Sequence, residues 1–178
     1  MNQDLSRTDD VPSRIGKAML FAAWILVLTI LVLFFQRFFE DRQNPNRDVA
    51  AALDAQGRVG VVLQRNRAGH YVANGTINGK PVVFLVDTGA TDVALSLAIA
   101  RRLGLSLRAG GMSQTANGNV RTWKTRLDSV DLGGLTLHGV PASVLPNIPG
   151  DEVLLGMSYL KHFELLQQGD TLTLRPPL

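Results

Sequence analysis

The chain has no cysteine among its 178 residues. That absence removes disulfides, thiolate catalysis and cysteine-based zinc sites. It is compatible with an exported or an intracellular domain. Histidine is scarce as well: His70, His138 and His162 lie far apart with no metal-ligand spacing, and read as surface or structural residues. Aromatics are only 6% of the chain and the formal net charge is only +3. Lysines and arginines are scattered, apart from Arg65/Arg67 and Arg101-Arg102, and no basic patch is interleaved with aromatics. Nucleic-acid binding is therefore not expected. There is no Gly-x-Ser-x-Gly nucleophile turn and no phosphate-binding glycine loop. No internal repeat is visible.

What the chain does have is one long apolar run. Ala18 to Phe35 is uncharged over 18 residues. As a helix it would reach about 27 Å, close to the hydrocarbon thickness of a bilayer. A cleaved signal peptide normally carries a shorter apolar run and a small-residue cleavage site. Gln36-Arg37-Phe38-Phe39 follows here instead, and Ala50-Ala51-Ala52 lies far downstream. The expectation is an uncleaved anchor over residues 15–37, behind a flexible cytoplasmic tail, 1–14. Arg14 and Lys17 precede the run while Arg37 and Arg42 follow it, so the positive-inside rule barely decides orientation. Residues 38–57, with Asn44-Pro45-Asn46 and an alanine-rich stretch, read as a stalk with a short helix around Val49 to Ala55.

From Val59 the texture changes to short β-prone runs broken by turn residues, the pattern of an all-β domain, here residues 58–178. Val59 to Arg65 and His70 to Ile77 are expected strands. Asn78-Gly79 marks a two-residue hairpin into the strand ending at Val86. Asp92 to Leu95 reads as a return strand. Ser96 can cap a helix over Leu97 to Leu103, with Gly104 as its stop. Asn117-Gly118 signals a second hairpin. Trp123 to Leu132, Leu135 to Val140 and Ala142 to Leu145 are further strands, with Gly133-Gly134 as a turn. Met157 to His162 has helical spacing. Phe163 to Gln167 and Thr171 to Arg175 suit a closing hairpin through Gly169-Asp170.

The most informative residues are Asp87-Thr88-Gly89-Ala90, placed after the apolar Val82-Val83-Phe84-Leu85-Val86. An acid at the end of a buried strand is costly unless hydrogen bonds or a partner compensate it. Gly89 allows a sharp turn and close approach of another chain. Thr88 offers a hydroxyl beside the acid. Four residues alone recur by chance, but two further motifs follow in order: Thr115-Ala116-Asn117-Gly118 and Leu154-Leu155-Gly156-Met157.

This ordered set resembles the retropepsin-like aspartic proteases, and more narrowly a bacterial membrane-anchored, single-domain branch of them. The match covers roughly residues 68 to 175. The resemblance implies a closed β-barrel, an acid-protease half-domain with one or two short helices, behind a single N-terminal transmembrane helix. It implies aspartic endopeptidase activity on proteins or peptides, with no metal or organic cofactor. Asp87 would be catalytic, and Thr88, Gly89 and Ala90 would support its loop. Thr115, Ala116, Asn117 and Gly118 would belong to a flap. Leu154, Leu155 and Gly156 would pack beneath the catalytic loop. One Asp-Thr-Gly per chain implies a homodimer, with one aspartate from each subunit across a two-fold axis. The barrel is expected on the periplasmic side of the inner membrane.

Blander readings stand beside these. Leu154-Leu155-Gly156 taken alone is a core strand and turn. Gln114 to Val120 taken alone is a surface hairpin. Asp92 reads as a turn residue more readily than as a determinant of substrate polarity, and Asp151-Glu152 as a solvated pair. Trp123 reads as core. A competing function is a retropepsin-like interaction or assembly module without general proteolytic activity. A membrane-tethered β-domain unrelated to proteases is the third.

Overall fold

A computed structural model of the chain describes residues 10–53, 57–115, 118–146, 148 and 150–177, with side chains except at 10–15, 37–42 and 113–115. Two units are separated at Asp41/Arg42. Helix α1 (Asp10–Gln43) begins inside the stretch expected as a tail, fills the described part of the first unit and runs two residues past its end. Within it Gly16–Gln36 is long and apolar enough to cross a membrane, a property a signal sequence would share. Its large apolar side chains, from Met19 to Phe35, face outward all round. The one hydroxyl among them is satisfied inside the helix, where Thr29 Oγ1 donates to Ile25 O at 2.8 Å.

The second unit is mostly β. After β1 (Ala52–Leu53) and β2 (Val59–Gln64) come β3 (Val72–Ile77) and β4 (Lys80–Val86). Asn78 and Gly79 join the latter two with φ of 51° and 72°, the left-handed pair that a type I′ turn requires. β5 (Val93–Ser96) runs straight into α2 (Leu97–Leu103). Ser96 caps that helix by accepting from Ile99 N at 3.2 Å, and Gly104 ends it at φ 75°. A hairpin follows, β6 (Arg108–Thr115) and β7 (Gly118–Leu132). β8 (Leu135–Leu145) is continuous through Pro141, where two strands were expected, because Pro141 still pairs with Arg126 in an unbroken register. β9 (Glu152–Leu155), the four-residue α3 (Met157–Leu160), β10 (Glu164–Gln168) and β11 (Thr171–Arg175) complete the chain.

Seven strands form a sheet in the order β3-β4-β9-β5-β8-β7-β6, and an extra β3–β7 pairing closes six of them into a barrel. The barrel is filled from both ends of the sequence's β region: Phe84, Leu95, Leu127, Leu132, Val153, Leu155 and Tyr159 are fully buried. Burial pushes the Tyr159 phenol well up, with the Asp131 carboxylate adding to the shift. Its hydroxyl donates to Leu135 O. Gly75 is set by this core, since a Cβ there would lie 2.5 Å from the Phe84 ring and from Asp131 O. The remaining strands form a second sheet, β1-β2-β11-β10.

Part of the segment read as a stalk is held by this unit. Asn46 is only 6% exposed. Its Nδ2 donates to Gln64 O at 2.9 Å and Val72 O at 2.7 Å, and its Oδ1 accepts from Gln64 N at 2.6 Å. The helix expected around Val49 to Ala55 is not formed over the described residues. Ala52–Leu53 is instead a strand against Val59 and Gly60. Alanine is a good helix former, but helix propensity is a weak local preference that pairing with β2 overrides.

Candidate active site

The site grows from two parallel strands. β4 and β9 pair in register from Val83/Glu152 to Val86/Leu155. Asp87 and Gly156 therefore leave the sheet side by side. Asp87 N donates to Leu155 O at 3.2 Å, so the parallel ladder continues one residue past the strand. A tight turn follows: Ala90 N donates to Asp87 O at 3.2 Å and Gly89 N to Asp87 Oδ1 at 2.9 Å. The carboxylate thus bonds its own turn while remaining half-buried. Thr88 and Gly89 are exposed at the tip.

The loop after the turn is stitched to α3. Met157 N donates to Ala90 O and Ser158 N to Thr91 O, both at 2.8 Å. Ser158 Oγ accepts from Val93 N and donates to Pro141 O, both at 2.9 Å. Gly156 lies where the two chain segments cross. A Cβ there would overlap Asp92 O outright and lie 2.7 Å from Ala90 O. Only glycine fits that crossing. Asp87, Thr88, Gly89, Ala90 and Gly156 are thus brought together, with Leu155 buried and Leu154 half-buried beneath them.

Of the other predicted site residues, Thr115 and Gly118 lie on the β6–β7 hairpin. Thr115 pairs with Gly118 at its end, while Ala116 and Asn117 fall outside the described residues. β8 meets β7 only from Trp123 onward, at Val144. Between that point and the tip, β7 has β6 as its neighbour, and the hairpin is a two-stranded arm. Met112 on this arm is 69% exposed. Glu152 opens β9, three residues along the ladder from Leu155, and Asp151 is exposed.

Sequence reasoning passed over one cluster. Lys124 Nζ donates to Asp92 Oδ2 at 2.7 Å and to Ser143 Oγ at 2.8 Å, and Ser143 Oγ donates to the same Asp92 oxygen at 2.7 Å. Burial alone would raise the Asp92 pKa. The hydrogen bonds from Lys124 and Ser143, with the Lys124 charge, outweigh it and hold the carboxyl below its ordinary value. Asp92 is therefore more than a turn residue: it links the loop after Asp87 to the strand that bears the arm. Lys124 and Ser143 are cross-strand neighbours, a relation visible only once the register is known. Ser158 escaped notice for the same reason, since its partners Val93 and Pro141 are remote in sequence.

A closed barrel with an acid-bearing turn locked over a glycine crossing defines a retropepsin-like fold. Residues 73–162 match the family described as "gag-polyprotein putative aspartyl protease". An uncharacterized protein from the cobV 5′ region of Sinorhizobium is 34% identical over 86% of this chain and 71% of its own length. An uncharacterized protein of Rickettsia prowazekii is 30% identical over 80% of this chain and 64% of its own length. Among solved structures, a retropepsin-like aspartic protease from Rickettsia conorii superposes with a TM-score of 0.57 at 33% identity, covering 64% of this chain and 97% of that one. The chain belongs to the retropepsin-like aspartic protease family.

Proposed function

We propose that the protein is a membrane-anchored aspartic endopeptidase, active as a homodimer in which each subunit supplies Asp87. The observation that carries this reading is the Asp87 turn: its backbone is fixed by Leu155, and the loop behind it by Met157 and Ser158. The carboxylate is left half-buried at an exposed tip. A rigid turn with an accessible acid suits a symmetric pairing in which two such acids face one another. In this reading Thr88 and Gly89, exposed at the tip, meet the partner loop.

Two carboxylates about 3 Å apart cannot both ionise, so the pair shares one proton. The ionised member takes a proton from water as the water oxygen attacks the scissile carbonyl. The protonated member donates to the carbonyl oxygen. Collapse of the tetrahedral intermediate breaks the C–N bond as a proton passes to the leaving amine. The two-stranded arm of β6 and β7 serves as the flap that covers bound peptide and excludes water. The apolar part of α1 is the anchor, with the barrel on the periplasmic side of the inner membrane.

The test uses the full-length protein in detergent micelles or nanodiscs. Asp87→Asn should lower peptide cleavage by roughly 10³-fold, as expected for loss of an acid–base group, while leaving the melting temperature near that of the native protein. Equal cleavage by native and Asp87→Asn proteins would overturn the assignment. A folded dimer that cuts no library peptide would point instead to an assembly module.

A further inference from the structure

We infer that the site cuts polypeptides only within a bounded distance of the membrane surface, which favours substrates held at that same membrane. The inference rests on the protease and anchor readings above and deepens them. Its observation is the lock on residues 43–53. Beyond the three bonds of the Asn46 amide, Asn46 O accepts from Asn74 N at 3.0 Å, and Asn46 forms a parallel bridge to Ala73. Asn44 Nδ2 donates to Asn74 Oδ1 at 2.8 Å while Asn44 Oδ1 accepts from Asn46 N at 3.0 Å. Asn66 Nδ2 donates to Gln43 O at 2.9 Å. Further on, Ala51 N donates to Gly133 O at 2.6 Å, and Val49 lies against Gly133. Both donors and the acceptor of a buried amide are used, so releasing this strap would strand buried polar groups.

The consequence is a limit on reach. A free stalk over 38–57 could extend about 70 Å at 3.5 Å per residue. The lock at Asn46 leaves ten residues after Gln36, about 35 Å even if fully extended. With α1 helical through Gln43 the same stretch spans only about 20 Å. Covalent length sets this limit, whatever the arrangement of the two units. A folded unit of about 140 residues is itself roughly 35–40 Å across. The scissile bond must therefore lie within about 75 Å of the hydrocarbon edge. Juxtamembrane segments of membrane proteins and membrane-bound peptides satisfy that condition. Soluble polypeptides reach the site only by diffusion, without the gain in effective concentration that a shared membrane gives.

The experiment reconstitutes the full-length protein in liposomes with a single-pass reporter whose cleavable segment faces the barrel. That segment is the peptide cut fastest from a soluble library. It stands about 20 Å from the membrane in one reporter and about 120 Å in another, on a rigid helical spacer of about 80 residues. The near segment should be cut at least ten-fold faster. A flexible Gly-Ser insertion between Asp41 and Arg42, outside the strap, should raise cutting of the far segment and leave soluble-peptide cleavage unchanged. Equal cutting of near and far segments by the native protein, with soluble peptide still cleaved, would overturn the reach limit alone. Loss of cleavage for soluble peptide as well would overturn the protease reading, and this inference with it.

Discussion

The Asp87 loop and the β6–β7 arm are built on opposite principles. Across the loop, the chain from Asp87 to Val93 bonds to Leu155, Met157 and Ser158. Along the arm, from Thr122 to Gly118, strand bonds among the described residues run between β6 and β7 alone. The loop is overdetermined by partners distant in sequence. The arm depends on its own hairpin, and isolated two-stranded hairpins are marginally stable in water. A peptidase needs both: a fixed acid and a cover that opens. Perturbing each region should separate stability from turnover.

The largest effect is expected at Gly156. A Cβ added there has no space between Ala90 O and Asp92 O, and both neighbours are backbone. Gly156→Ala should destabilise the barrel by about 3 kcal/mol or more, since backbone must shift to relieve the overlap. Thermal unfolding of the full-length protein in detergent would measure it. An unchanged melting temperature would mean the loop is as pliable as the arm, and the contrast would collapse.

Ser158→Ala comes next. It strips the acceptor from Val93 N, a buried donor, and the donor from Pro141 O. An unsatisfied buried N–H costs about 1–3 kcal/mol. Because Ser158 also positions α3 against the loop, cleavage should fall with stability, whereas arm substitutions should change KM with little change in melting temperature. Parallel kinetics and melting curves on Ser158→Ala and an arm variant such as Met112→Ser would check this division.

The turn itself was legible in the sequence because its residues are local, whereas the bonds that lock it to Leu155, Met157 and Ser158 were not. An acid after an apolar strand, small residues in the turn and a glycine after a second apolar run are all readable without partners. Asn78-Gly79, Ser96 and Gly104 were legible for the same reason: each turn or cap is made within a few residues. The strap at Asn46 was not. Asn44-Pro45-Asn46 has turn composition, and its actual role depends on Gln64 and Val72, 18 and 26 residues away. Nor was the tie between loop and arm, since Lys124, Asp92 and Ser143 meet only through strand register.

That tie gives the smallest and sharpest prediction. Lys124 stands on β7 just below the two-stranded arm and bonds Asp92 at 2.7 Å. Its side chain is 53% exposed and that of Asp92 19%, so solvent screens the pair and its contribution is under about 1 kcal/mol. The folded pKa of Asp92 is depressed, so this stabilisation is present above the ordinary carboxylate pKa of about 3.9 and is lost as pH falls through the lower folded value. Lys124→Met should therefore speed amide exchange on the arm by up to about five-fold at neutral pH, the factor equivalent to 1 kcal/mol. The difference from native protein should begin to fade as the pH drops below about 3.9 and vanish below the lower folded value. Lys124→Arg, which keeps the charge, should recover part of the protection. An exchange difference that persists undiminished in acid would assign Lys124 a packing role through its alkyl stem, against Gly110, and would leave loop and arm as independent devices.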